Sequence, residues 1–166
     1  MNSFQILIQT VLILFLAGCA GGNNGHTIVK NGKAKAVIVM PAGVGELKQV
    51  AVKEFRKTIL RSSGSEIPVI SEDQMEDLPG GTVRIILGPS TKTAELGFTE
   101  EDLLSEEFLI HTAGRDIVIL SNDIYNLGTD RKISNTVEET DSRVTAWAFS
   151  CLLDRYLGVR GLWPGE

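Results

Sequence analysis
Two cysteines, Cys19 and Cys151, and two histidines, His26 and His111, are all that the 166 residues hold of the side chains that most readily ligate transition metals. Neither histidine has a Cys, His or carboxylate beside it at ligand spacing, so no metal site is expected. No Gly-x-Ser-x-Gly elbow is present and His111 has no recognisable acid partner, which disfavours a serine triad. Positive charge is short as well. Lys and Arg total 16 against 21 Asp and Glu, a net charge of -5, so the field that phosphate backbones reward is missing and nucleic acid is not an expected partner. The turn Met40-Pro41-Ala42-Gly43-Val44-Gly45 lacks the third glycine of the dinucleotide fingerprint and the Lys-Ser/Thr pair of a P-loop. It reads as turn glycine, and no cofactor is expected. Repeats, coiled-coil heptads and low-complexity runs are absent too.

What the chain does have begins at its N-terminus. Residues 4–17 are apolar except for Gln5, Gln9 and Thr10, and the run is shorter than the roughly 20 residues that span a bilayer. An export signal fits it better, although Met1-Asn2-Ser3 supplies no Lys or Arg for the usual basic start. The run ends in Leu16-Ala17-Gly18-Cys19, which resembles the lipobox of bacterial lipoproteins. That resemblance implies cleavage after residue 18, lipid attachment at Cys19 and anchoring to the cell envelope. Residues 19–26 then form a glycine- and asparagine-rich tether. With Cys19 acylated, Cys151 has no disulfide partner and is expected as a small buried hydrophobe.

Residues 27–166 are expected to fold as one domain. Asn31-Gly32 predicts a tight hairpin between strands at 27–30 and 34–40. Over 44–61, Leu47, Val50, Ala51, Phe55 and Ile59 recur at helical spacing, with Lys48, Lys53, Glu54, Arg56 and Lys57 mostly opposite. Ser62-Ser63-Gly64 should end that helix, and Ile67-Pro68-Val69-Ile70 reads as a short strand whose proline favours an edge or a strand start. The acidic stretch 72–77 reads as a loop. Residues 82–87 predict a buried strand, and Ser90 caps a short helix. Residues 107–111 and 116–120 predict an antiparallel hairpin through Gly114. Residues 122–141 form a polar, aperiodic connection. Residues 143–157 predict a second helix whose stripe carries Val144, Trp147, Ala148, Cys151 and Leu152. The expected fold class is α+β, a mixed or antiparallel β-sheet with two main helices packed on it.

The C-terminal run carries a second resemblance. Tyr156-Leu157-Gly158-Val159-Arg160 followed by Trp163-Pro164-Gly165-Glu166 is similar to the ending of the N-terminal accessory domain shared by α-glucuronidases, family-20 β-hexosaminidases and related glycosidases. Val50-Ala51-Val52-Lys53-Glu54-Phe55 before Ser63-Gly64-Ser65-Glu66-Ile67-Pro68-Val69 resembles that domain's helix, turn and strand, and Ile85-Ile86-Leu87-Gly88-Pro89-Ser90 resembles its Ile-x-Leu-Gly element. Gly161 stands where the family carries a tryptophan, and 122–141 is longer than its glycine-rich link.

The resemblance implies a β-hexosaminidase domain-2-like fold whose catalytic carboxylates belong to a following (β/α)8 barrel of about 250 residues. None of this chain is left for one, so no residue is assigned a catalytic role. Trp163 and Glu166 are implied as sugar contacts, stacking and polar respectively. The carboxylates at 100–102, 106–107, 138–139 and 141 lie in polar stretches, where apolar burial cannot raise their proton affinity for glycosidase work. The expectation is a non-catalytic accessory domain of a glycoside hydrolase-like envelope lipoprotein, either a truncated product or a domain encoded separately. Its implied partners are a glycan, a barrel and the membrane that holds the lipid. A free-standing sugar-binding lipoprotein that uses the long connection is the alternative, and a glycosidase whose barrel comes from a partner chain is a third reading. An exposed apolar patch is expected near Leu162 and Trp163.

Overall fold
A computed structural model describes residues 25–104, 106–123 and 144–159. Asn31 and Gly32, at φ 52° and 67°, supply the two positive dihedrals of a type I′ turn and join β1 (Val29–Lys30) to β2 (Lys33–Ala34). The single strand expected over 34–40 is divided at Lys35. Its N–H donates to Ile28 O at 2.8 Å while its carbonyl accepts from Val83 N at 2.9 Å, so the chain leaves the ribbon and enters the main sheet as β3 (Ala36–Met40).

From β3 the chain passes through α1 (Glu46–Ser63) to β4 (Val69–Ser71), then through a 3-10 turn at Glu72–Gln74 to β5 (Val83–Leu87). The acidic stretch expected as a loop therefore contains one short turn of helix. Gly64, at φ 69°, closes α1 by donating to Leu60 O at 2.8 Å, a left-handed cap that a side chain would strain. Ser90 caps α2 (Thr91–Glu95), its hydroxyl accepting from Thr93 N at 3.1 Å. A 3-10 turn at Glu100–Asp102 leads to the hairpin of β6 (Phe108–Ala113) and β7 (Asp116–Ser121), and α3 (Val144–Leu157) follows.

The main sheet has the order β4-β3-β5-β7-β6, with β6 antiparallel to β7 and every other neighbour pair parallel. It is the mixed sheet of an α+β fold. β4 lies at an edge and begins directly after Pro68, so both positions open to its proline are met. Strand alternation sorts the two faces. Ile38, Ile85, Leu87, Ile117 and Ile119 meet Phe55 and Ile59 of α1 and Phe149 and Leu152 of α3. Phe55 and Phe149 stack with ring centroids 4.5 Å apart, which locks the two helices side by side on one face. Val37, Val39, Ile86 and Val118 point the other way, packed with Ile70 of β4 and with Met75, Leu78 and Leu96 from the connections.

Most of each expected stripe is buried, Leu47, Ala51, Phe55 and Ile59 on α1 and Val144, Ala148 and Leu152 on α3, but neighbouring residues replace the rest. On α1, Val50 is 45% exposed while Lys48 is only 8% exposed, because the buried rows run 47-51-55-59 and 48-52. On α3 the buried set is Val144, Thr145, Ala148, Phe149 and Leu152, and Trp147 is 52% exposed. Cys151 is a free thiol and half buried rather than buried. On α3 Phe149, stacked on Phe55, takes the buried position beside α1, and Trp147, about 200° around the helix from it, is left exposed.

Candidate functional site
Parallel strands of an open sheet deliver their following loops to one edge, the carboxyl edge, where such folds usually place ligands. Here that edge gathers the turn after β3, Gly88-Pro89-Ser90 after β5, and Ser121, Asn122 and Asp123 at the end of β7. Lys48, in the first turns of α1, reaches beneath it. Its ammonium donates to Gly88 O at 2.9 Å, to Ser121 O at 3.4 Å and to Glu100 Oε1 at 2.7 Å. A buried ammonium is tolerable only with such partners, and three donors meeting three acceptors satisfy it.

Gly88 is required there by packing. A Cβ on it would collide with Leu120 Cδ1 and come within 3.0 Å of Thr93 Cγ2. Gly43 differs: at φ 77°, with no atom within 4 Å of where a Cβ would sit, it serves the turn's dihedral rather than packing.

Beside Lys48 lies a second knot. Asp123 accepts from Thr145 N at 3.0 Å, from Ser121 Oγ at 3.0 Å and from the Thr145 hydroxyl, while Ser121 Oγ and Thr145 Oγ1 lie 2.6 Å apart. Asp123 thus caps α3 from across the connection and pins residues 123 and 145 together at the carboxyl edge. Its carboxylate is occupied by three donors, which suits anchoring better than accepting a substrate proton.

The two histidines lie elsewhere. His26 donates through Nε2 to Gly114 O at 3.1 Å, at the β6–β7 turn and hence at the opposite edge of the sheet. His111 meets the ring of Phe98 edge-on at 4.9 Å. Neither joins Ser121 and Asp123. Among the described residues no group of three or more His, Cys, Asp or Glu side chains is arranged to hold a metal. Three of the acidic residues of 100–107 have partners within the fold: Glu100 accepts from Lys48, Asp102 from Thr99 N at 3.0 Å and Glu107 from Leu104 N at 2.8 Å.

Cys19, Trp163 and Glu166, the lipid and sugar positions named from the sequence, lie outside the described residues, as do the apolar run 4–17 and Leu162. So do most of the 122–141 connection and Glu138, Glu139 and Asp141. Among the described residues no helix is long and apolar enough to cross a membrane. The Lys48 and Asp123 knots were missed by sequence reasoning. For Asp123 one signal existed, an Asx residue between a strand and a helix, but its distance in sequence from Thr145 hid the partner. No family model and no curated protein matches the chain.

Proposed function
We propose that this chain is the non-catalytic accessory domain of a glycoside hydrolase-like envelope lipoprotein, exported and held to a membrane through a lipid on Cys19. The observation that carries the reading is where the resembling segments fall. Residues 50–55 lie within α1, residues 63–69 form its cap and the entry to an edge strand, residues 85–90 are β5 and its carboxyl-edge turn, and residues 156–159 end α3. The helix, turn and strand of residues 50–69 and the helix end at residues 156–157 are compatible with the elements the resemblance implies. Polarity of the sheet is compatible with tethering. The chain enters at His26 beside the Gly114 turn, so a tether at 19–26 attaches at one edge and leaves the carboxyl edge on the far side.

On this reading the domain positions a sugar-processing barrel or presents a glycan, and Trp163 and Glu166 supply a stacking face and a polar contact. A glycan array probed with the full chain tests it. Binding to uronic acid or N-acetylhexosamine glycans that is lost in Trp163→Ala is the expected result. Undiminished binding by that variant would remove Trp163 from the sugar site and favour a free-standing binding domain that uses other residues.

A further inference from the structure
Among the described residues β6 is an unpaired edge of the sheet, and the strand itself lacks the side chains that usually protect one. Its sequence, Phe108-Leu109-Ile110-His111-Thr112-Ala113, holds no Lys, no Pro and no acidic residue. The other edge is guarded: β4 has three residues and follows Pro68. Because Asn122 N donates to Glu107 O at 3.0 Å, odd-numbered residues of β6 face β7 and even-numbered ones face outward. The N–H and C=O groups of Phe108, Ile110 and Thr112 therefore point away from the sheet, and among the described residues nothing bonds to them.

We propose that the occupant of this edge is a second copy of the same chain, pairing β6 with β6 antiparallel about a two-fold axis at Ile110. In that register Ile110 meets its own counterpart, and Phe108 and Thr112 exchange hydrogen bonds, so all six outward groups of each strand find partners. No charge within the strand meets its like. The flanks are complementary: the register sets Glu106 of one copy opposite Gly114 of the other, one residue from Arg115, and Glu107 opposite Ala113, and symmetry repeats the match. Glu106 and Arg115 are both exposed, and no ion pair engages either of them among the described residues.

The helix above the edge agrees. Phe149 faces α1, and Trp147 lies about 200° around α3 from it, on the flank away from α1. α3 overlies β6 and β7, so this flank leans toward the open edge, with half-buried Cys151 one turn on. With strands about 4.8 Å apart, a helix seated between β6 and β7 lies about 4.8 Å from the two-fold axis. The two copies of α3 would then be about 9.6 Å apart, the ordinary distance for packed helices. Trp147, the largest exposed side chain of α3, would be covered by the partner's helix.

Native mass spectrometry of the full chain released from detergent tests the pairing. At roughly 10 μM, well above the Kd of a modest interface, the two-copy species should dominate. Glu106→Arg and Arg115→Glu should each weaken it by about tenfold, and the double variant should restore it. In a Cys19→Ser background, mild oxidation should cross-link the chain through Cys151. A one-copy species at that concentration overturns the proposal, as does a two-copy species indifferent to both charge reversals or not restored by the double variant.

Discussion
Lys48 directs its ammonium at two backbone carbonyls and one carboxylate, and through them ties α1 to the ends of β5 and β7 and to the 3-10 turn at Glu100–Asp102. Replacing it by Met keeps the stem and leaves Gly88 O and Ser121 O without that donor. We expect Lys48→Met to lower unfolding free energy by about 2–3 kcal/mol in urea titrations. Val50→Ala, two residues on but exposed, should change it by less than about 0.5 kcal/mol. The reverse ordering would show that the ammonium is not seated beneath the carboxyl edge. Gly88→Ala should cost about 1–3 kcal/mol, since Leu120 and Thr93 must move. Position 48 is illegible in the sequence because a lysine among Glu46, Gln49 and Lys53 matches a solvated face. Only the strand ends, brought in from 40 and 73 residues away, reveal its partners.

Among the strands and helices, most of what formed was legible from local chemistry. Asn31-Gly32 set the ribbon, Gly64 ended α1, Ser90 opened α2 and Pro68 marked an edge, each because the residue's own dihedrals or donors decide the matter. What local chemistry could not supply was the margin of each buried face and the partition of a strand. The main inward rows were legible, but not the burial of Lys48 and Val52 in place of Val50 or of Phe149 in place of Trp147, and the division at Lys35 depended on β5 arriving alongside. Asp123 offers a test of how one element is held. Asp123→Ala removes the carboxylate that receives the first turn of α3, and should cost about 1–2 kcal/mol. Amide exchange should accelerate first at Thr145 and its neighbours while β3 and β5 stay protected. Uniform loss of protection across the sheet would show that the cap is not local to α3.

For the molecule as a whole, the fold class was legible from interleaved strand and helix patterns, while the mixed parallel order of the sheet required long-range pairing to be seen. The candidate site was less legible: Cys19, Trp163 and Glu166 come from resemblance, and the Lys48 and Asp123 knots come from the structure alone. Export and anchoring predict that labelled palmitate enters the chain in growing cells and is lost in Cys19→Ala. Label retained by that variant would place the lipid elsewhere. The proposed role requires that the domain recognise sugar without cleaving it. Saturation-transfer NMR of the full chain with a uronic acid or N-acetylhexosamine oligosaccharide reads both properties in one sample. Transfer to the sugar protons, with anomeric signals that do not change over time, is the expected result. Appearance of new anomeric signals, or no transfer at about millimolar sugar, where even weak binding of roughly -4 kcal/mol registers, would overturn that role.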